Sequence, residues 1–292
     1  MHFQGIFPIL PTPFADNGDV DVESLKTLIG FMCCLGMDGV TILGVMGEAP
    51  KLSEAEQDLV VATAVEAAQG MPVIVGTSAA STRLALERSR RAAELGAAGF
   101  LVAPPKAKEE AIFAYYRELS EQLEHPIILH DYPEVTGVTM SVPLIARMAR
   151  ELARVRYIKL EEAPTGRKIT QLLEGEKSDI RVFGALGGVY CLEELQRGAI
   201  GIMTGYAYQD ALKEIYQRHL AGDERGAEEV FYRHVALMHY EFQPVLGLAI
   251  RKEIYRRRGA IRSAYIRPPG PSLDTRHYEE LARILDYLGL AD

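Results

Sequence analysis

Val155-Arg156-Tyr157-Ile158-Lys159-Leu160-Glu161-Glu162 is the stretch on which the reading of this chain turns. It reads as a short strand that carries a lysine among apolar neighbours. Strand alternation sets Val155, Tyr157 and Lys159 on one face and Arg156, Ile158 and Leu160 on the other. Lys159 then lies deep, near the C-terminal end of the strand. Burial penalises an ammonium, so an enclosed amine gives up its proton more readily and can attack a carbonyl to form a Schiff base. The competing reading is a lysine on a strand end in water, where most lysines are found.

On both sides of this stretch, short apolar runs alternate with longer segments of helical period, the pattern of βα units around a parallel sheet. Strands are expected at Ile6 to Leu10, Val40 to Leu43, Val73 to Gly76, Phe100 to Ala103, Ile127 to Asp131, Val155 to Leu160, Arg181 to Gly184 and Ile200 to Met203. A helix follows each. Ser53 and Glu56 have capping-box spacing before the second helix, and Ser141 with Pro143 opens the one after the fifth strand. Eight such units predict an α/β fold, a closed (β/α)8 TIM barrel, over residues 1–222, and residues 223–292 are expected to form a C-terminal helical module.

Composition narrows the function. The 292 residues are 48% hydrophobic and 25% charged, with a formal net charge of −8 and a pI near 5.5. That balance offers no electrostatic drive toward nucleic acid or an acidic membrane surface, and Arg256-Arg257-Arg258 reads as a solvated helix end. Cys33, Cys34 and Cys191 have neither zinc nor redox spacing, and the seven histidines lack paired ligand spacing, so no metal is expected. Met1 to Asp16 carries three prolines and no basic segment ahead of an apolar core, and no apolar run reaches membrane-spanning length. A cytoplasmic protein is expected.

In such a barrel the chemistry belongs at the C-terminal ends of the strands. That rule selects Gly44-Val45-Met46-Gly47-Glu48 after strand two, His130-Asp131-Tyr132-Pro133 after strand five, Lys159 with Glu161 and Glu162 at strand six, Gly187-Gly188 after strand seven and Met203 at the end of strand eight. An amine, an imidazole or phenol on the next strand, and glycine loops with free N–H groups make an imine-forming site with an anion cradle. Each also has a plain structural reading: glycines for tight turns, His130 as a satisfied core residue, Tyr132 as packing, Glu161 and Glu162 as a solvated loop face.

Taken together, Pro11-Thr12-Pro13-Phe14, Leu43-Gly44-Val45-Met46-Gly47-Glu48 with Leu52-Ser53 and Glu56, Tyr132-Pro133 with Thr136-Gly137, Ile158-Lys159 and Ile250-Arg251-Lys252 resemble, in order and spacing, the dihydrodipicolinate synthase and N-acetylneuraminate lyase family of class I lyases. The resemblance implies Lys159 as the imine-forming residue, a homotetramer or homodimer, and no cofactor beyond the covalent lysine imine. It also exposes departures. The hydroxyl pair that synthases carry between the two glycines is Val45-Met46 here, the strand-five tyrosine falls at His130, the arginine for a second carboxylate falls at Val135, and the tyrosines after strand four are replaced by Pro105-Lys106.

The hydroxyl relay of a ring-forming synthase is thus missing, while the lysine that condenses with a 2-oxo acid remains. The expected activity is a lyase, aldolase or dehydratase, acting on pyruvate or a 3-deoxy-2-oxo sugar acid. His130 is the first candidate for moving the proton, Tyr132 the second, and Glu161 a stabiliser of the iminium or a base. The substrate carboxylate is expected on the N–H groups of Gly47, Glu48 and Gly187, with Val45 and Met46 making the pocket more apolar. Two other readings stay open: a non-catalytic paralogue that binds a small 2-oxo acid, and 4-hydroxy-tetrahydrodipicolinate synthase itself.

Overall fold

Parallel pairing runs unbroken through eight strands: β1 (Gly5–Ile6), β2 (Val40–Ile42), β3 (Val73–Gly76), β4 (Gly99–Val102), β5 (Ile127–Asp131), β6 (Val155–Leu160), β7 (Arg181–Gly184) and β8 (Gly201–Ile202). The computed structural model describes residues 2–290. From β2 to β8 each strand pairs with the next in sequence, and β8 pairs with β1. The last seam closes just past β1: Ile9 bridges Thr41, the Leu10 N–H donates to the Thr41 carbonyl at 2.9 Å, and the Thr41 N–H donates to the Pro8 carbonyl at 2.8 Å. The first strand is shorter than the run Ile6 to Leu10 suggests, because Pro8 has no N–H to give a ladder.

Helices α1 (Val22–Cys34), α2 (Glu54–Ala68), α3 (Thr82–Glu94), α4 (Glu109–Gln122), the single turn α5 (Pro133–Thr136), α6 (Val142–Glu151), α7 (Thr165–Thr170), α8 (Cys191–Gln196) and α9 (Gln209–Leu220) wrap the sheet. The capping signals work as their chemistry requires. Ser53 and Glu56 form a reciprocal capping box on α2, and Ser141 accepts the Leu144 N–H at the start of α6. Beyond the barrel units come α10 (Glu224–Glu241), α11 (Gly247–Arg257) and α12 (Thr275–Tyr287). Their apolar faces, including Phe231, Leu237, Ile250, Ile254 and Leu281, belong to the same continuous cluster as the outward residues of the strands.

The inside of the barrel is a separate apolar column of Phe3, Phe7, Ile9, Met46, Ile74, Leu101, Ile128, Tyr157, Phe183 and Met203. It is a packed floor. Phe7 meets Phe183 edge-on with ring centres 5.3 Å apart, and the Tyr157 hydroxyl accepts the Phe3 N–H at 3.0 Å.

Strict alternation along β6 fails at one place. Ile127 faces Val155 but Ile128 faces Tyr157, so Arg156 is an extra residue with its side chain in water. This bulge resets the pleat. Val155 therefore joins Ile158 and Leu160 in the outer cluster, contrary to the face alternation assigns it, whereas Tyr157 and Lys159 point inward as expected.

Sequence pieces far apart in the chain meet behind the strand-two loop. Thr12 Oγ1 donates to the Gly47 carbonyl at 2.7 Å, and Lys252 Nζ sits 4.5 Å above the Phe14 ring while donating to Glu48 Oε1 at 2.6 Å. The C-terminal helices are thereby fastened to the mouth.

The seam between β1 and β8 leaves no room for a side chain, since a Cβ at Gly201 would lie 1.9 Å from the Gly5 carbonyl oxygen. Backbone cannot yield there cheaply, so Gly201→Ala is expected to lower stability by about 1–3 kcal/mol, the usual range for overpacking. Denaturant unfolding measures it, and an unchanged midpoint would mean that the seam adjusts freely.

Candidate active site

Register brings the reactive groups together. His130 on β5 is the direct partner of Lys159 on β6, and Lys159 is in turn the partner of Phe183 on β7. Residues opposite each other on adjacent parallel strands share a face, so His130 and Lys159 stand side by side above the aromatic floor. Glu161, two residues beyond Lys159, leans over the same spot.

The three polar ends form a triangle. Lys159 donates to Glu161 Oε2, His130 Nε2 lies 2.9 Å from the same oxygen, and Lys159 Nζ is 3.3 Å from His130 Nε2. All three residues are buried, with Lys159 4% exposed. The half-buried Tyr132 ring closes one side, its centre 5.7 Å from Nζ and 5.9 Å from the His130 ring.

Burial sets their protonation. It pushes the Lys159 ammonium below its ordinary value, with Glu161 opposing it. It also pushes His130 down, assisted by the positive charge of Lys159, so the imidazole is neutral near pH 7. Burial would raise Glu161, but Lys159 and His130 together outweigh it and hold the carboxyl at about 2. Tyr132 is pushed up to about 12 by burial and then by Glu161, so it keeps its proton.

The amine opens onto a pocket of about 80 Å³ whose wall includes Gly44, Val45, Met46, His130, Tyr132, Glu161, Gly187, Thr204, Phe242 and Arg251. A second cavity of about 460 Å³ shares Gly44, Val45, Leu101 and His130 with it and runs outward between the loops after β2 to β5, past Ala79, Leu84, Pro104 and Val135. An ion-paired lysine therefore still has space at its nitrogen, with a largely apolar extension beyond it.

Of the residues singled out from sequence, Lys159, His130, Tyr132, Glu161, Val45, Met46 and Gly187 line this pocket. Gly47, Glu48 and Met203 do not. The Gly47 and Glu48 amides are spent inside a 3₁₀ turn, donating to the carbonyls of Gly44 and Val45 at 3.0 and 3.4 Å. The Glu48 carboxylate is clamped by Lys252 and Lys51, and Met203 is part of the barrel floor. Nor do the two glycines supply the turn's left-handed residues, which are Leu43 and Glu48, with φ of 54° and 52°. Gly187 does use its freedom, with φ of 69°, and a Cβ there would strike the Phe242 ring at 2.4 Å. Glu162 turns away to Lys168, which also holds Asp131 at 2.8 Å.

Thr204, Phe242 and Arg251 are pocket residues that sequence reasoning passed over. For Arg251 there was a signal: the charged run Arg251-Lys252-Glu253 sits between the apolar residues Leu248-Ala249-Ile250 and Ile254-Tyr255, which is a costly place for charge without a partner. Among the described residues, no group of three His, Cys, Asp or Glu side chains gathers as metal ligands, and no helix is long and apolar enough to cross a membrane.

A desolvated amine at the C-terminal mouth of a (β/α)8 barrel, with an anion to hold positive charge on its nitrogen, is the equipment of a class I lyase, which turns a ketone into an iminium. The chain belongs to the dihydrodipicolinate synthetase family, whose model matches residues 2–288. Among its relatives, an L-2-keto-3-deoxyarabonate dehydratase of Azospirillum brasilense is 34% identical over 98% of this chain and 96% of its own. A 4-hydroxy-tetrahydrodipicolinate synthase of Methanothrix thermoacetophila is 29% identical over 98% of this chain and 96% of its own. The crystal structure of a dihydrodipicolinate synthase from Rhodopseudomonas palustris superimposes with a TM-score of 0.94 at 35% identity, covering 98% of this chain and 97% of that one.

Other buried acids carry a cost that depends on pH. Burial pushes Glu194 and Glu241 up to about 7 from an ordinary 4.5. A carboxyl raised in this way binds its proton more tightly when folded. Its contribution is complete below about 4.5 and is lost as pH rises through about 7. Glu194→Gln, which cannot ionise, is expected to flatten the fall in Tm across that window, and a Tm–pH curve parallel to wild type would contradict the assignment.

Proposed function

We propose that this lyase dehydrates a 3-deoxy-2-oxo sugar acid through an imine on Lys159. The observation that carries the proposal is the triangle of Lys159, Glu161 and His130 facing a pocket without the hydroxyl pair of a ring-forming synthase. The likeness to the Azospirillum dehydratase supports the substrate class. No other cofactor is required, since the lysine imine is itself the electron sink.

The Lys159 amine attacks the C2 carbonyl, and water leaves to give the iminium, whose charge the Glu161 carboxylate balances. The iminium acidifies the C3 proton. His130, neutral and close to the nitrogen, takes that proton, and the resulting enamine expels the C4 hydroxyl. Tyr132, which keeps its proton, is suited to deliver it to the departing oxygen, so one molecule of water is released and the carbon chain stays whole. Hydrolysis of the unsaturated imine then frees the amine, and the proton held by His130 passes to the Tyr132 oxygen, restoring both side chains. In this reading the neutral imidazole is the base and the protonated phenol the acid.

Retro-aldol cleavage would start from the same iminium, and the two outcomes differ in product. With 2-keto-3-deoxyarabonate, dehydration gives a product one water lighter and no pyruvate, whereas cleavage releases pyruvate. Borohydride with a 2-oxo acid is expected to fix a covalent adduct that Lys159→Ala abolishes. His130→Ala is expected to lower kcat by roughly 10²–10⁴-fold, the usual contribution of a positioned base, while leaving the trapped adduct. No adduct with any 2-oxo acid would remove the proposal, and binding without turnover would favour a non-catalytic paralogue. A cyclic product from pyruvate and aspartate semialdehyde would favour the synthase. A cytoplasmic homotetramer or homodimer is proposed from the family alone.

A further inference from the structure

Arg251 is 9% exposed, yet its guanidinium is only partly used. Nε donates to Glu241 Oε2 at 3.2 Å, Nη1 reaches the Met46 sulfur at 3.5 Å, and Nη2 has no partner among the described residues. A thioether is a weak acceptor, so one edge of the fork is close to unsatisfied. If Arg251 only held α11 to α10, the expected geometry would be a two-handed grip on Glu241. Glu241 instead gives both oxygens to the Ala207 N–H, at 3.3 and 3.1 Å, and takes only Nε from Arg251.

Arg251 also lines the pocket that holds Lys159. A buried donor edge without an acceptor costs free energy that an anionic ligand would recover. The strand-two loop offers the pocket no side-chain donor. Val45 and Met46 have no hydroxyls, and the amides of Gly47 and Glu48 are consumed by their own turn. The larger, mostly apolar cavity opens on the side of the loops after β2 to β5, whereas Arg251 and Met46 stand beside Gly205 at the end of β8.

We infer that Arg251 binds the C1 carboxylate of the 2-oxo acid whose C2 is joined to Lys159, and so fixes the substrate with its carboxylate toward β8 and its variable chain toward the cavity under the β2 to β5 loops. This rests on the imine-forming reading above and adds the polarity of the bound substrate. It assigns recognition of the invariant head group to a side chain delivered by α11, in place of the loop hydroxyls that the strand-two segment lacks. Specificity for the hydroxyl-bearing remainder of the substrate falls to the larger cavity, whose wall includes Gln57, Ser78, Arg88 and Thr136.

The test compares pyruvate with pyruvamide, which has the same ketone and no charge, by borohydride trapping and intact mass. Wild type is expected to trap both, pyruvate at the lower concentration. Arg251→Met is expected to raise the half-saturating pyruvate concentration by roughly ten- to a hundredfold, the scale of a charge-assisted hydrogen bond, and to leave pyruvamide unchanged. Equal effects on the two ketones, or none on either, would overturn the inference. If Arg251→Met does not fold, Arg251→Lys decides: it keeps a charge but loses the planar fork, so pyruvate alone should weaken, and parallel shifts would again overturn it. A wild-type protein that traps neither ketone would instead defeat the imine-forming reading itself.

Discussion

The pairing of β5 with β6 is the constraint from which the mouth of this barrel follows. One additional residue at Arg156 shifts the pleat, and beyond it every second side chain of β6 points inward. Strict alternation without that bulge would put Val155 on the face of Tyr157 and Lys159, whereas Val155 packs outward. With it, Tyr157 completes the aromatic floor and Lys159 surmounts it beside His130. Because side chains alternate with period two, a slip of one residue would exchange Lys159 for Leu160 and dissolve the site.

Above that floor, low polarity makes a few charges count. Val45 and Met46 replace groups that would hydrate the pocket, and Phe242 covers Gly187. In such surroundings the amine loses affinity for its proton, the imidazole stays neutral and the phenol stays protonated, all from the same desolvation. Glu161 is the counterweight. Its charge keeps the nitrogen inside when cationic.

Much of the architecture was legible because its signals are local. The boundaries of β5, β6 and α2 follow from hydrophobic period and from the Ser53–Glu56 capping box. Lys159 and His130 could be paired because strand ends in a parallel barrel converge. What escaped is what depends on contacts remote in sequence or on the exact turn. Val155 changed faces because a bulge leaves no mark in composition. Gly47 and Glu48 were placed near the ligand, but a 3₁₀ turn consumes their amides. Glu161 and Glu162 look alike in the sequence, and only the course of the chain after β6 sends one to Lys159 and the other to Lys168. Arg251 lies 92 residues beyond Lys159 and meets it only through the return of α10 and α11 to the mouth.

The fastening of α11 to the strand-two loop has a consequence for how such an enzyme diversifies. Lys252 grips Glu48 while the adjacent Arg251 touches Met46, so one helical turn reads both the shape and the chemistry of that loop. A change in the loop's side chains is thus felt immediately by a neighbour that can answer it. Polar groups can be traded between an early loop and a late helix while the lysine on β6 stays untouched, so the lining of the mouth can change on an unaltered barrel.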